Sequence, residues 1–170
     1  DIYSSLDILK TRAISFKEFA LFSLKRGFES MISYDKKLRH LIVSSGEAVT
    51  FDIQLRGRRN VVRGAAATGK TYMCNLIRNE NPHPDVVVFE RGVDSVRDLT
   101  SLSDKLIIID RADMLSAEVV EHISQDLDNT YSIMARVPLG LGITPSYIGE
   151  FVRDNRLITM KYNFSVPGWF

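Results

Sequence analysis

The 170-residue sequence predicts a three-layer α/β/α domain on a mainly parallel sheet, preceded by an N-terminal helix and a β-hairpin. Three observations predict it. Apolar strand segments alternate with helical segments along the chain. Those strands are nearly continuous runs of Val, Ile and Leu, as strands buried on both faces require. A glycine-bearing loop, Gly64-Ala65-Ala66-Ala67-Thr68-Gly69-Lys70-Thr71, separates a short β-branched run from a helical segment.

Composition sets the frame. With 45% hydrophobic and 25% charged residues, the chain suits one globular domain, residues 1–170, with a sizeable core. No apolar run approaches the roughly 20 residues needed to span a bilayer, so no membrane partner is expected. The start lacks the basic-then-apolar layout of a signal peptide. Cys74 is the single cysteine, which excludes an internal disulfide and is compatible with a reducing compartment. A cytoplasmic location is the expectation.

The elements follow in order. Ser15-Phe16-Lys17-Glu18 has capping-box spacing, and Phe16, Phe19, Ala20, Leu24, Phe28, Met31 and Ile32 recur at helical steps, predicting a helix over residues 16–32. Its aromatic stripe reads as core packing, with a partner-binding face as the alternative. Residues 38–43 are a strand candidate, and Ser44-Ser45-Gly46-Glu47 supplies a turn. Val49, Phe51, Ile53 and Leu55 then alternate with polar residues, the period of a half-buried strand. This hairpin leads through Arg56-Gly57-Arg58-Arg59 into the strand Asn60-Val61-Val62-Arg63. Met73, Leu76 and Ile77 place a helix after the glycine loop, ended by Asn79-Glu80-Asn81-Pro82. Strands follow at residues 85–90, 105–110 and 131–135, with helices at residues 93–102 and 116–127 between them. Thr144-Pro145 has the form of an N-cap and first helical residue, predicting a helix to about Arg153. Residues 157–164 close the chain as a strand. Residues 1–58 thus form a flank and residues 59–164 a core.

Charge is uneven along the chain. Residues 1–70 carry 13 Lys/Arg against 7 Asp/Glu, net +6, whereas residues 71–170 carry 9 against 14, net −5. A basic N-terminal part suits a nucleic-acid or acidic protein partner, and equally an ordinary solvated surface. Arg56, Arg58, Arg59 and Arg63 form the densest cluster.

The loop itself carries the chemistry. It matches G-x-x-x-x-G-K-[ST] without a mismatch, and a strand precedes it and a helix follows. Gly64 and Gly69 let the backbone curl so that the N–H groups of Ala65, Ala66, Ala67, Thr68 and their neighbours through Tyr72 point at phosphate oxygens. Lys70 brings a cation to the β- and γ-phosphates, and Thr71 a hydroxyl to Mg²⁺. The helix N-terminus adds its positive end.

A second motif joins it. Leu106-Ile107-Ile108-Ile109-Asp110 resembles a Walker B strand, whose Asp orients the Mg²⁺ water shell. With the glycine loop 39 residues earlier, counted from Thr71 to Asp110, residues 59–164 resemble the P-loop NTPase superfamily. The spacing is similar to the branch with an added strand, which includes AAA+, RecA-like and helicase ATPases. That resemblance implies the P-loop NTPase fold, ATP and Mg²⁺ as ligands, and ATP hydrolysis. No N-K-x-D motif is present, which favours ATP over GTP. No helical lid segment follows Phe164, so ring assembly in the AAA+ manner is not expected.

One departure bears on catalysis. The branch often has Glu after the Walker B Asp, and this chain has Arg111, which cannot act as a base at neutral pH. Asp113 retains a carboxylate nearby, in a sequence similar to a helicase D-E-x-D. Glu90, closing the strand at residues 85–90, stands where RecA-like proteins carry a catalytic Glu; the plainer reading pairs it with Arg91 or Arg63. Arg136 stands at a sensor-like position that touches the γ-phosphate, or forms a surface salt bridge. Arg111 has a further reading as a finger reaching a neighbouring subunit. The candidates for catalysis are therefore Lys70, Glu90, Asp113 and Arg136, with Thr71 and Asp110 for the metal. His40, His83 and His122 lack zinc-ligand spacing. Trp169 and Phe170 offer docking groups for the core or a partner. Three functions follow: an ATPase, a slow-hydrolysing ATP-binding switch module, and, last, a small-molecule kinase.

Overall fold

Strands dominate the molecule. A computed structural model describes residues 30–46, 48–64, 68–80, 82–136 and 140–165. The elements are β1 (Ser30–Asp35), β2 (His40–Ser45), β3 (Thr50–Gln54), β4 (Arg59–Arg63), α1 (Lys70–Asn75) running into a π-helical turn (Leu76–Glu80), β5 (Val86–Phe89), α2 (Val96–Thr100), β6 (Leu106–Ile109), a 3₁₀ turn (Ala112–Met114), α3 (Ala117–Gln125), β7 (Thr130–Ala135), β8 (Tyr147–Asp154) and β9 (Leu157–Ser165). The residues Ala65–67, Trp169, Phe170 and the expected helix over 16–29 lie outside the described residues. Among the described residues, no helix is long and apolar enough to cross a membrane.

Among the described residues, nine strands form one sheet in the order β1-β2-β3-β9-β8-β4-β7-β6-β5. From β8 to β5 the neighbours run parallel. The β1/β2, β2/β3 and β8/β9 pairs are antiparallel. This corrects the expected three-layer α/β/α architecture on a mainly parallel sheet: the sheet is mixed, nearly barrel-shaped, and carries few helices.

The reason lies in what covers α1. Met73 and Cys74 are wholly buried and Leu76 and Ile77 nearly so. They share one core with Val62, Leu106, Ile108 and Met134 from the parallel strands and with Leu41, Val43, Phe51 and Ile53 from β2 and β3. The π-helical turn touches β1, β2 and β5, which includes both edges of the sheet. Strands, not further helices, therefore form the outer layer over α1. Lys36, just after β1, bonds Asp104 at 2.7 Å and Asp85 at 3.1 Å, tying the first edge to the segments that lead into β5 and β6. The opposite face keeps the helical cover: α2 and α3 bury Leu99, Val119 and Ile123 against Val61, Ile107, Ile109 and Ile133. Ser116 caps α3 by accepting from the Val119 amide.

Two local expectations also change. The helix expected from Thr144-Pro145 to Arg153 is strand β8. Ile148, Gly149 and Phe151 are buried there, between β4 and β9. A Cβ at Gly149 would lie 2.9 Å from the Lys161 carbonyl, so the strands approach at a position only glycine fits. The Ser146 amide donates to Arg59 O at 2.8 Å, which starts the pairing with β4 where a helix would have begun. Met31 and Ile32, expected to end a helix, lie in β1, paired to Ser44 and Val43. Cross-strand pairing outweighs local helical periodicity at both places.

A buried polar corner closes the β6/β7 end. The Asp126 carboxylate accepts from Asn129 Nδ2 at 2.7 Å, from the Asp128 amide at 2.8 Å and from the Tyr131 hydroxyl. Burial pushes the Asp126 pKa up, but these hydrogen bonds from Tyr131, Asn129 and the backbone outweigh it and hold it below the ordinary carboxylate value. A depressed carboxylate contributes stability that is complete above its unfolded pKa, about 3.9, and is lost as pH falls through the folded value. Asp126→Asn is expected to cost about 2 kcal/mol at pH 7. That difference shrinks as pH falls below about 4, read by urea midpoints across pH.

Candidate functional site

The carboxyl ends of β4, β6 and β7 open into a cleft of about 1240 Å³. These strands belong to the parallel part of the sheet, and at their carboxyl ends the loops leave the strands and, after β4, α1 begins.

Thr68, Gly69, Lys70 and Thr71 of the glycine loop form the floor. Gly64 leaves β4 with φ of 141° and Gly69 enters α1 with φ of 90°, both outside the range side chains tolerate. At Gly69 a Cβ would also lie 3.2 Å from the Phe51 ring and 3.3 Å from Ile158, so two independent constraints select glycine. The Gly69 carbonyl accepts the first helical bond from the Met73 amide at 2.9 Å. Lys70 folds back over the loop, its Nζ donating to Gly64 O at 2.8 Å and Thr68 Oγ1 at 2.9 Å. Burial lowers the Lys70 pKa from the ordinary lysine value; Asp110 and Asp113 oppose this, while Arg136 adds to it. These two bonds of the ammonium go to neutral oxygens, and an anion's oxygens in their place would give stronger, charge-assisted bonds.

One wall is polar. Asp110 follows β6, and Arg111 takes the left-handed conformation (φ 57°, ψ 54°) that turns the chain into the 3₁₀ segment. That turn places Asp113 so that its Oδ2 accepts from the Arg136 amide at 3.1 Å, joining the loops after β6 and β7. Asp110, Arg111, Asp113 and Arg136 all line the cleft with Thr68, Gly69, Lys70, Thr71 and Tyr72. β7 lies between β4 and β6, so the carboxylates face the loop across one strand. The other wall is mainly apolar, with Val49, Phe51, Phe151 and Ile158 from the β3, β8 and β9 region and Arg153 of β8 beside them.

Glu90 is not among the lining residues. It follows β5, the edge strand, which β6 and β7 separate from β4. Its carboxylate lies 3.4 Å from Arg78 Nε, a partner the sequence did not suggest. Its amide donates to Asp94 Oδ2. The arginines before the loop hold structure together. Arg58 donates to Leu127 O, Arg59 Nε to Thr144 O at 2.9 Å, and Arg56 stacks 4.6 Å over the Tyr162 ring. Arg63 lies 3.8 Å from Glu150.

Sequence reasoning missed the apolar wall and placed Arg111 only loosely. The wall's signal was present in the strict alternation of β3, but the partners on β8 and β9 come from a segment read partly as helix. Among the described residues, no group of three or more His, Cys, Asp or Glu gathers as a metal site. Buried Cys74 lies 3.8 Å from Met134 Sδ, and burial pushes its thiol up to about 12, so it is inert packing. No protein-family model and no curated protein matches this chain.

Proposed function

We propose that the cleft binds ATP with Mg²⁺ and that the protein hydrolyses it to ADP and phosphate. The observation that carries this reading is the Lys70 ammonium, folded onto Gly64 O and Thr68 Oγ1 in a cleft it shares with Asp110, Asp113 and Arg136. Phosphate oxygens would replace those neutral acceptors and gain charge-assisted hydrogen bonds. Loop amides and the start of α1 would add further donors.

Thr71 and Asp110 line the same cleft and are the residues that would hold Mg²⁺. Two hard oxygen donors fit that ion, which takes few protein ligands and keeps waters and phosphates for the rest. When bound, it supplies charge neutralisation across the β- and γ-phosphates. Water attacks the γ-phosphorus, the bond to the β–γ bridging oxygen breaks, and ADP leaves with that electron pair. Asp113 orients the water and takes its proton. Lys70 and Arg136 stabilise charge on the transferring group.

Asp113→Asn is expected to lower steady phosphate release by about 100-fold with ATP affinity little changed. Asparagine still accepts from the Arg136 amide, so the loop stays in place. Glu90→Gln is expected to leave turnover within about two-fold, because its carboxylate serves Arg78. The reverse pattern overturns this assignment. A second reading, a nucleotide-responsive binding module with slow turnover, is favoured by the Glu90–Arg78 pair and by Arg111 beside Asp110. Tight ATP binding with negligible phosphate release in the unaltered protein would select it.

A further inference from the structure

The cleft has two chemically distinct halves, and the sheet order sets their geometry. Asp110, Asp113 and Arg136 come from the β6–β7 side of the glycine loop. Phe51, Phe151 and Ile158 come from the β3-β9-β8 side. The halves meet at Gly69, which packs against Phe51 and Ile158 within the distance a Cβ would need. Tyr72, two residues past Lys70, stands at the rim of the aromatic half and is 44% exposed. Its ring centroid lies 6.4 Å from that of Phe51, which lies 5.9 Å from that of Phe151.

We infer that the aromatic half is a nucleobase subsite in which Tyr72 stacks on the base above the Phe51–Phe151–Ile158 floor. The inference rests on the nucleotide reading above and names how that nucleotide is oriented. A triphosphate seated at Lys70 with its terminal phosphate toward Asp110 and Asp113 points its nucleoside the other way, across α1 toward Tyr72. A mainly apolar, aromatic recess continuous with a phosphate loop suits a planar base. Phe51, Phe151 and Ile158 are already buried by their own packing, so they supply a rigid floor. Tyr72 has the exposed face that a ligand would cover. Among the described lining residues, this half holds no carboxylate or amide side chain and its charged group is Arg153, so stacking and burial supply its affinity for the base.

The test compares two probes on the whole chain with Mg²⁺ by calorimetry: ATP, and inorganic tripolyphosphate, which lacks a base. ATP is expected to bind at least about ten-fold tighter than tripolyphosphate. Tyr72→Ala is expected to weaken ATP by about ten-fold and leave tripolyphosphate unchanged, while Tyr72→Phe keeps ATP near the unaltered value. Equal affinities for the two probes, or a Tyr72→Ala loss shared by both, overturn the base subsite while leaving the phosphate site standing. Binding of neither probe overturns the parent reading and this one with it.

Discussion

Replacing Lys70 with alanine is expected to weaken ATP binding by about 100-fold or more and leave the fold intact. The ammonium is the one group in the glycine loop that carries full charge, and burial already lowers its pKa. Against phosphate oxygens, each charge-assisted bond is worth about 1.5–3 kcal/mol, and two are at stake. The fold loses little, because the present acceptors, Gly64 O and Thr68 Oγ1, face a cleft where water can replace the lysine. Calorimetry with Mg²⁺ reads the affinity and a thermal melt reads the fold. An alanine variant that melts normally and binds ATP as tightly as the unaltered protein would falsify the nucleotide reading. Lys70→Met gives the same outcome with less change in packing, which separates charge from volume.

The second large effect is on stability. Asn60→Ala is expected to destabilise the protein by about 3 kcal/mol, read as a lower urea midpoint. Asn60 is fully buried at 0% exposure. Its Oδ1 accepts from the Arg56 amide at 3.0 Å and the Gly57 amide at 3.2 Å. Its Nδ2 donates to Gly57 O at 2.7 Å and Tyr131 O at 3.2 Å. One side chain thus satisfies the turn that delivers the chain into β4 and so into the glycine loop. Alanine removes those partners together and deprives part-buried backbone groups of these bonds, each at about 1 kcal/mol or more before relaxation. Asn60→Asp tests the direction of the bonds. It keeps both acceptor contacts but sets a carboxylate oxygen against two carbonyls, so it is expected to be at least as damaging.

Legibility of the fold divides along one line. The runs Val86–Phe89 and Leu106–Ile109 and the alternation around β3 state their structure locally, because period and side-chain shape suffice. Residues 144–153 do not. Thr144-Pro145 opens like a helix, yet the segment pairs with β4, far earlier in the chain, and turns back as a hairpin on β9. Met31 and Ile32 of β1 also fit a helical stripe, yet they pair with β2 across a short turn. The site divides likewise. Lys70, Thr71, Asp110 and Asp113 were named from motif and spacing, and all reach the cleft. Glu90 was named by analogy of position, and its place after the edge strand sets it beside Arg78 instead.

What the chain encodes by itself is the loop: two glycines, a lysine and a threonine at spacing that backbone geometry alone makes meaningful. What surrounds that loop was settled in three dimensions. The β1–β3 strands and the β8/β9 pair share a core with α1 because its apolar residues Met73 and Cys74, and Leu76 and Ile77 after them, need cover. A half-buried helix packs its apolar face on whatever apolar surface reaches it, and here that surface is sheet. The same packing brings Phe51 and Ile158 against Gly69, and so makes a cleft with one charged half and one aromatic half.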